Sequence, residues 1–306
     1  MNSGVPARTE MVRGSMSEAR VSTRALGGMH IHGIQAGGQQ LDGGAMFGVV
    51  PKPLWERRIK ADERNRIQLG MRCLLVEHPS GLVLIDTGAG NKESEKFHDI
   101  YGVENAGVGG RTLLEDGLRS LGVAPEDVFL VINTHLHFDH GGGNTFRDES
   151  GVVRPVFPRA RYIVQRRDFE FATHLNERTA ASYFAHNFLP VRDAGQLEFV
   201  EGEREILEGI RVIPTPGHVP GHQSVLVQKG GESAFFAGDL VPTAAHLPLP
   251  WIMGYDVEPL VTLETKRALL GRALNENWIV VFEHDWNVEW GRLEHDGKSH
   301  VVSLTA

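Results

Sequence analysis

The most informative part of the chain is Thr134-His135-Leu136-His137-Phe138-Asp139-His140-Gly141-Gly142-Gly143-Asn144. Three histidines and one aspartate stand within six of these positions, and all four can bind a transition metal. The apolar run Val128–Ile132 before them predicts a buried strand, and the three glycines after them predict a turn into a helix. The segment therefore predicts a metal site at the end of a strand.

The spacing within this motif favours two neighbouring metals over one. His135 and His137 are two positions apart and share one side of an extended chain, whereas Asp139 and His140 follow where the chain bends. We therefore expect the first pair on one ion and the second pair on the other. A histidine-rich loop or an accidental cluster is the alternative, and the density of ligand types argues against it.

The motif resembles the HxHxDH signature of the metallo-β-lactamase-fold hydrolases. This resemblance implies an α/β fold, a four-layer αββα sandwich of two mixed sheets flanked by helices. The residue pattern agrees at a coarser level, because predicted strands alternate with helices such as the amphipathic helix at residues 111–121. We expect residues 29–306 to form a single domain of this kind.

Three strand ends in the second half of the chain carry further candidate ligands. His218 follows the predicted strand Ile210–Pro214, Asp239 follows residues 233–237, and His284 follows residues 278–282. The resemblance implies that one metal is bound by His135, His137, His218 and Asp239, and the other by Asp139, His140, Asp239 and His284. Asp239 would thus bridge the two ions.

Imidazole and carboxylate ligands of this kind suit two Zn²⁺ ions, and Fe, Mn or Co can occupy such sites as well. Asp86 ends the predicted strand at residues 82–85, and the resemblance implies that it supports the metal loop through hydrogen bonds and does not bind metal. An ordinary turn aspartate is the alternative. We expect His222 to be structural, since the family ligand is the first histidine of the pair.

The sequences of two segments narrow the resemblance to one branch of this family. Residues 135–144 and the run Thr-Pro-Gly-His-Val-Pro-Gly-His-Gln-Ser at 215–224 are most similar to the N-acyl homoserine lactonases, which are quorum-quenching enzymes. Organophosphate-hydrolysing relatives share much of the sequence of these two segments. The lactonases have a tyrosine three residues after the bridging aspartate, where it polarises the lactone carbonyl, and this chain has Pro242. His246 or Tyr255 can replace that donor, and packing of an ordered loop is the alternative for both.

The resemblance implies a hydrolase that opens a lactone or a related small-molecule ester. A hydroxide held between the metals would attack the carbonyl, and Asp139 would orient it and pass a proton to the leaving alkoxide. A phosphotriesterase, which uses the same hydroxide against phosphorus, is the alternative activity. A metal-free binding module of the same fold is disfavoured by the complete ligand set.

An apolar substrate pocket is predicted from large side chains on both sides of the motif. Residues 46–55 mix large apolar side chains with proline and glycine, which fits either a pocket wall or a hairpin packed on the core. Residues 166–189 are rich in aromatic residues and are predicted to be helical, either as core or as a lid. The candidate pocket residues are Met46, Phe47, Trp55, Phe138, Trp251, Met253 and Tyr255.

Composition limits the partners of the chain. Its 306 residues carry a net charge of −8, which argues against nucleic acid or an anionic membrane as a partner, and no apolar run reaches the ~18–20 residues of a membrane span. The single cysteine, Cys73, lies in a strand-like run and cannot form an intrachain disulfide, so we expect a buried thiol in a cytoplasmic protein. Residues 1–28 are polar and lack the apolar middle of a signal peptide, which predicts a disordered leader. A homodimer is expected by analogy alone.

Overall fold

The computed structural model of the chain describes residues 20–303, which form sixteen strands and eight α-helices. The strands are β1 (Arg20–Leu26), β2 (Met29–Asp42), β3 (Arg66–His78), β4 (Gly81–Ile85), β5 (Val128–Ile132), β6 (Thr145–Arg147), β7 (Val153–Pro155), β8 (Arg161–Gln165), β9 (Leu197–Val200), β10 (Arg204–Leu207), β11 (Ile210–Pro214), β12 (Gln223–Lys229), β13 (Glu232–Phe236), β14 (Ile279–Val281), β15 (Trp290–His295) and β16 (His300–Ser303). The helices are α1 (Gly43–Phe47), α2 (Lys52–Trp55), α3 (Glu95–Tyr101), α4 (Leu113–Ser120), α5 (Phe138–Gly141), α6 (Arg166–Thr173), α7 (Leu189–Asp193) and α8 (Pro259–Asn275). None of the helices in the described part of the chain combines the length and the apolar composition that crossing a membrane requires.

The strands form two large sheets and one small hairpin. The first sheet has the strand order β1-β2-β3-β4-β5-β8-β9, the second has the order β10-β11-β12-β13-β14-β15-β16, and β6 pairs with β7. Parallel pairs occur in the first sheet between β4 and β5, β5 and β8, and β8 and β9. In the second sheet β13 and β14 are parallel and the other pairs are antiparallel. Both sheets are therefore mixed, as predicted.

The two sheets pack face to face, and helices cover their outer faces. The layer between the sheets contains side chains of both, such as Leu74 and Ile132 from the first and Phe236 from the second. Helix α4 packs on the outer face of the first sheet through Leu118, and helix α8 packs on the outer face of the second through Leu270. Because strands such as β5 are buried on both faces, their apolar residues are consecutive in sequence. The predicted four-layer αββα arrangement is confirmed.

The prediction of a disordered leader over residues 1–28 was wrong for its last third. Arg20–Leu26 forms strand β1, which pairs antiparallel with β2 across a turn at Gly27 and Gly28. Both glycines have positive φ, 56° and 88°, as a tight hairpin turn requires. The strand was missed because it is a polar edge strand in which only Leu26 is fully buried. Residues 1–19 of the predicted leader lie outside the described residues.

The long helix predicted for residues 166–189 was also wrong. Helix α6 ends at Thr173, irregular chain follows, and α7 begins only at Leu189. The amide oxygen of Asn176 accepts hydrogen bonds from the backbone N–H groups of Arg178 and Thr179, at 2.9 and 3.2 Å. Such local side-chain bonds compete with helical ones, so the aromatic composition of this segment did not predict its backbone.

Helix α5 begins within the ligand motif, earlier than the predicted turn into a helix after the glycines. The glycines form a short 3₁₀ turn, Gly142–Asn144, that lies directly against the chain after β4. A β-carbon on Gly143 would lie 2.2 Å from the carbonyl oxygen of Thr87, and one on Gly142 would lie 2.9 Å from Cα of Ala89. Glycine is therefore required here by close approach of two backbones, which fixes the motif against the strand that precedes Asp86.

We expect Gly143→Ala to lower the free energy of unfolding of the metal-free protein by about 1–3 kcal/mol, the usual cost of overpacking. Gly271→Ala is the matched control, because its β-carbon would meet nothing within 4 Å in the middle of α8. That change should raise stability by about 0.5–1 kcal/mol through helix propensity. Urea unfolding of the two variants measures both values, and equal stability of the two would contradict the close approach at Gly143.

Candidate metal centre

The seven predicted ligands come together at one end of the two sheets. They follow the ends of four strands: β5 leads to His135 and His137 and then into α5 with Asp139 and His140, β11 leads to His218, β13 to Asp239 and β14 to His284. Since β13 and β14 are parallel neighbours, the residues that follow them emerge side by side. All seven side chains are buried, with at most 9% of any residue exposed.

The ligand atoms fall into two groups that match the expected sets. In one group, His135, His137, His218 and Asp239 each offer an atom within 4.8 Å of the others, and in the second group Asp139, His140 and His284 do the same. Asp239 lies between the groups: its Oδ2 is 2.9 Å from Nε2 of His218 and 3.5 Å from Nε2 of His140, and its Oδ1 is 3.1 Å from Nε2 of His284. Its carboxylate therefore reaches members of both groups, as a bridging carboxylate must.

The residues fit a pair of divalent cations. Nε2 of His135 and Oδ1 of Asp239 are buried and have no hydrogen-bond partner among residues 20–303. Ring nitrogens of different histidines face each other at 3.1 Å in two places, between His218 and His137 and between His284 and His140. Buried polar atoms without partners are rare in proteins, and convergent imidazole and carboxylate donors are what Zn²⁺ and similar ions bind.

The protonation states of the histidines in the two groups are also compatible with bound cations. Burial and the neighbouring imidazoles hold the pKa of His135 and His137 well below its usual value, so both rings are neutral ligands. Burial opposes a charge on His218 and His284, but the carboxylate of Asp239 raises the pKa of His218 to about 10 and of His284 to about 9. Metal ligands must be deprotonated, so cation binding would release these protons.

Asp86 lies outside the two ligand groups and contacts the metal-binding motif through hydrogen bonds, as the sequence predicted. Its carboxylate accepts hydrogen bonds from the backbone N–H and the hydroxyl of Thr134, at 2.7 and 2.6 Å. Nδ1–H of His140 donates to it at 3.1 Å. Asp86 thus ties the start of the motif to the ring of its last histidine, which leaves Nε2 of His140 turned to the ligand group.

Sequence reasoning missed the groups that orient the other imidazoles. Asp256 accepts from Nδ1 of His218 at 3.0 Å, and the backbone carbonyl of Gly70 accepts from Nδ1 of His284 at 2.7 Å. Glu283 is fully buried with its Oε1 3.0 Å from Nδ1 of His140. Only Glu283 had a usable signal, as an acidic residue next to a ligand at the end of an apolar strand; Asp256 and Gly70 are remote in sequence.

His222 has a different environment from His218. Its Nδ1 bonds to the hydroxyl of Thr215 at 2.7 Å, and its Nε2 accepts from the backbone N–H of Asp239 at 3.0 Å. Burial and the neighbouring His218 lower the pKa of His222 to about 3. Both nitrogens of this neutral ring are occupied by the scaffold, which agrees with the structural role expected from the sequence.

Most of the predicted pocket residues pack into the core. Met46, Phe47, Trp55 and Met253 are at most 5% exposed and form one apolar cluster, against which the half-buried Trp251 packs. The ring of Phe47 stacks on that of Trp55 with centroids 5.3 Å apart. Residues 46–55 therefore pack on the core, which is one of the two predicted alternatives; the other was a pocket wall. They form the end of α1 and helix α2 and no hairpin, and they contribute Met46, Phe47 and Trp55 to this cluster.

His246 is placed where it cannot donate to a substrate, which corrects the role expected for it. Its Nε2–H donates to the carbonyl oxygen of Met46 at 2.8 Å, and its Nδ1 bonds to the hydroxyl of Thr243 at 2.7 Å. The ring stacks on Phe47 with centroids 4.5 Å apart. Burial lowers the pKa of His246 to about 3. The histidine fastens the loop after Asp239 to the end of α1.

The charge of Asp139 acts on two tyrosines, Tyr101 and Tyr255. Burial raises the pKa of both; Asp139 raises it further in Tyr101, and Asp42, Tyr101 and Asp139 raise it further in Tyr255. Tyr101 packs on Phe138 of the motif with ring centroids 5.1 Å apart, and Tyr255 remains 39% exposed. Tyr101 was missed because it lies in α3, which carries no motif; Phe97 and Phe184 complete an aromatic cluster around Phe138.

Comparison with known proteins agrees with this geometry. Residues 71–284 match the family model of the metallo-beta-lactamase superfamily. An N-acyl homoserine lactonase from Bacillus sp is 31% identical over 243 residues, which cover 74% of this chain and 85% of the relative. The crystal structure of a probable metal-dependent hydrolase from Staphylococcus aureus has a TM-score of 0.83 at 30% identity and covers 92% of this chain and 100% of its own. An N-acyl homoserine lactone hydrolase with N-hexanoyl-L-homoserine bound at its catalytic metal center has a TM-score of 0.64 at 25% identity, covering 84% of this chain and 93% of its own.

Proposed function

The chain belongs to the metallo-beta-lactamase superfamily, and we propose that it is a dinuclear metal hydrolase that opens the ring of N-acyl homoserine lactones. The observation that carries this proposal is the position of Asp239, whose carboxylate lies between two groups of buried candidate ligands and reaches members of both. A pair of metals bridged by a carboxylate is suited to hydrolysis, in which one site activates water and the other binds the oxygen that gains charge.

The substrate class is supported by the relatives. The similar Bacillus protein is named an N-acyl homoserine lactonase, and one similar solved structure holds the ring-opened product N-hexanoyl-L-homoserine at its catalytic metal center. The half-buried Tyr101 and Phe184 beside Phe138 give this chain an aromatic surface next to Asp139, against which an acyl chain can pack. The relatives and this surface together favour an acylated lactone over a small polar ester.

Two divalent cations, when bound, supply a hydroxide at neutral pH and an electrophile for the lactone carbonyl. The carboxylate of Asp139, a member of the second ligand group, takes up the proton that water loses when it becomes the attacking hydroxide and returns it to the alkoxide oxygen that leaves when the ring opens. The burial of the ligands strengthens each of these charge interactions.

We assign the donor role left open by Pro242 to Tyr101 or Tyr255. Both phenols have a raised pKa, so both stay protonated at neutral pH and can donate a hydrogen bond to the lactone carbonyl. Tyr101 packs on Phe138, the neighbour of Asp139, whereas His246 has its two ring nitrogens engaged by Met46 and Thr243. Replacement of the family tyrosine by one from a different segment would preserve the chemistry.

Zn²⁺ is the proposed native metal, because three-histidine and carboxylate donor sets suit it well.

We propose a cytoplasmic location from the single buried thiol, Cys73. Residues 29–306 are proposed to act as one domain, and a homodimer remains a proposal by analogy with the family. The net charge of −8 disfavours nucleic acid as a further partner.

The proposal predicts metal-dependent opening of acyl homoserine lactones, measured as proton release in a pH-stat. The substrates are short- and long-chain N-acyl homoserine lactones, simple aliphatic lactones and one aryl phosphotriester, each before and after removal of metal. Turnover of the acylated lactones should exceed that of the phosphotriester and vanish without metal. Faster turnover of the phosphotriester than of the lactones would favour the alternative activity, a phosphotriesterase. The absence of turnover on every lactone would refute the proposed substrate class.

We further expect Tyr101→Phe or Tyr255→Phe to lower kcat by about 10²-fold, the usual effect of losing one donor to a developing oxyanion. KM should change little, because the bond strengthens only in the transition state. Tyr162→Phe is the matched control, since its buried hydroxyl contacts the backbone of Phe157 and Asn144 and lies outside the site. Wild-type kcat in both Tyr101→Phe and Tyr255→Phe would remove the two phenols from the mechanism.

A further inference from the structure

Gln39 reaches the metal centre from strand β2. Its side chain is fully buried, and its Nε2 donates a hydrogen bond to Oδ2 of Asp139 at 2.6 Å. This is the only hydrogen bond to the Asp139 side chain that residues 20–303 provide. Asp139, one of the three members of the second ligand group, is therefore held by a glutamine that is 100 positions away in sequence.

A bulge in β2 turns Gln39 to this side of the sheet. Gln35 pairs with Arg72 and Gly38 pairs with Gly70, so β2 has one extra residue in this interval. The extra residue reverses the alternation of side chains, and Gln39, opposite Leu69, faces away from the side that Gln35 occupies. Bulges are often found where a side chain must be re-aimed beside a functional site.

The orientation of the amide is set by chemistry. An ionised carboxylate accepts hydrogen bonds and cannot donate them, so Gln39 must present its NH₂ group to Asp139. As a result its Oε1 is buried without a hydrogen-bond partner in the described part of the chain. Leaving such an oxygen unpaired typically costs about 1–3 kcal/mol. A glutamine that is retained at this cost is better explained by its bond to Asp139 than by the packing of β2.

The bond restricts one rotation of Asp139. Oδ1 lies 3.9 Å from Nε2 of His140 and Oδ2 lies 3.6 Å from Nε2 of His284, so the carboxylate edge faces the other two members of its group. With Oδ2 held by the amide, rotation about the bond to the carboxylate is restricted. The Oδ1 lone pairs are then left free for a cation.

We propose that Gln39 is a positioning residue that holds Oδ2 of Asp139 and so presents Oδ1 to the cation bound with His140 and His284. The inference deepens the proposed function, because it rests on the dinuclear centre and assigns a support to one of its two sites. It requires that loss of the amide weakens one cation site and leaves the other unchanged.

The experiment compares Gln39→Leu with Gln35→Leu by titration of the metal-free proteins with Co²⁺ against a chelator. In Gln39→Leu one of the two sites should bind about 10- to 100-fold more weakly, as is typical when an outer hydrogen bond to a ligand is lost. The Co²⁺ absorption spectrum of that site should change.

Gln35→Leu is the matched control. Gln35 lies on the same strand, is 4% exposed and also has an unpaired Oε1, but its NH₂ group bonds to the carbonyl of Gly37 at 2.8 Å. Its loss should leave both Co²⁺ affinities at the wild-type values. If Gln39→Leu does not fold, Gln39→Met, which keeps length and removes the donor, serves in its place.

Wild-type Co²⁺ affinity at both sites of Gln39→Leu would overturn the inference, as would equal losses of affinity in the Gln35 and Gln39 variants. These readings are independent of lactone turnover. A wild-type protein that binds two Co²⁺ ions but opens no lactone would refute the proposed substrate and leave the role of Gln39 standing. A wild-type protein that binds fewer than two would refute both.

Discussion

The site depends on one carboxylate, that of Asp239, standing between two groups of buried ligands. Its oxygens lie 2.9 Å from Nε2 of His218 and 3.1 Å from Nε2 of His284. An ionised carboxylate so deeply buried is strongly unfavourable unless opposite charge lies beside it. Divalent cations bound by the two groups would supply that charge. The two sheets meet this requirement because the ligand-bearing ends of their strands lie at one edge, within reach of a single side chain.

Backbone hydrogen bonds between the sheets keep the ligands of different strands in register. The N–H of Gly70 in β3 donates to the carbonyl of His284, and the N–H of Arg72 donates to that of Glu283, both at 3.0 Å. The first sheet therefore holds the end of β14, which belongs to the second. Asp86, Asp256 and the Gly70 carbonyl then fix the imidazole rings from behind. These backbone contacts and hydrogen bonds fix the positions of the candidate ligands relative to one another.

The ligands were predictable because their signals are local. Four strands are followed by a candidate histidine or aspartate ligand, and the HxHxDH spacing links these residues to a known arrangement. Among the supporting residues Asp86 was predicted, whereas Gln39 was missed, since its bond to Asp139 depends on a bulge that reverses the strand alternation. His246 was misjudged for a related reason: its contact with Met46 joins residues 200 positions apart. Strand β1 and the irregular chain after α6 were missed because polar edge strands and local side-chain bonds leave no periodic pattern.

The dinuclear centre is tested most directly by the rate of lactone opening as Zn²⁺ is added to the metal-free protein. We expect the initial rate on an N-acyl homoserine lactone to rise until two equivalents per chain are bound and then to stay constant. The reason is that one cation would activate the water and the other would bind the oxygen that gains charge. A rate that saturates at one equivalent, or full activity in the metal-free protein, would contradict the dinuclear centre.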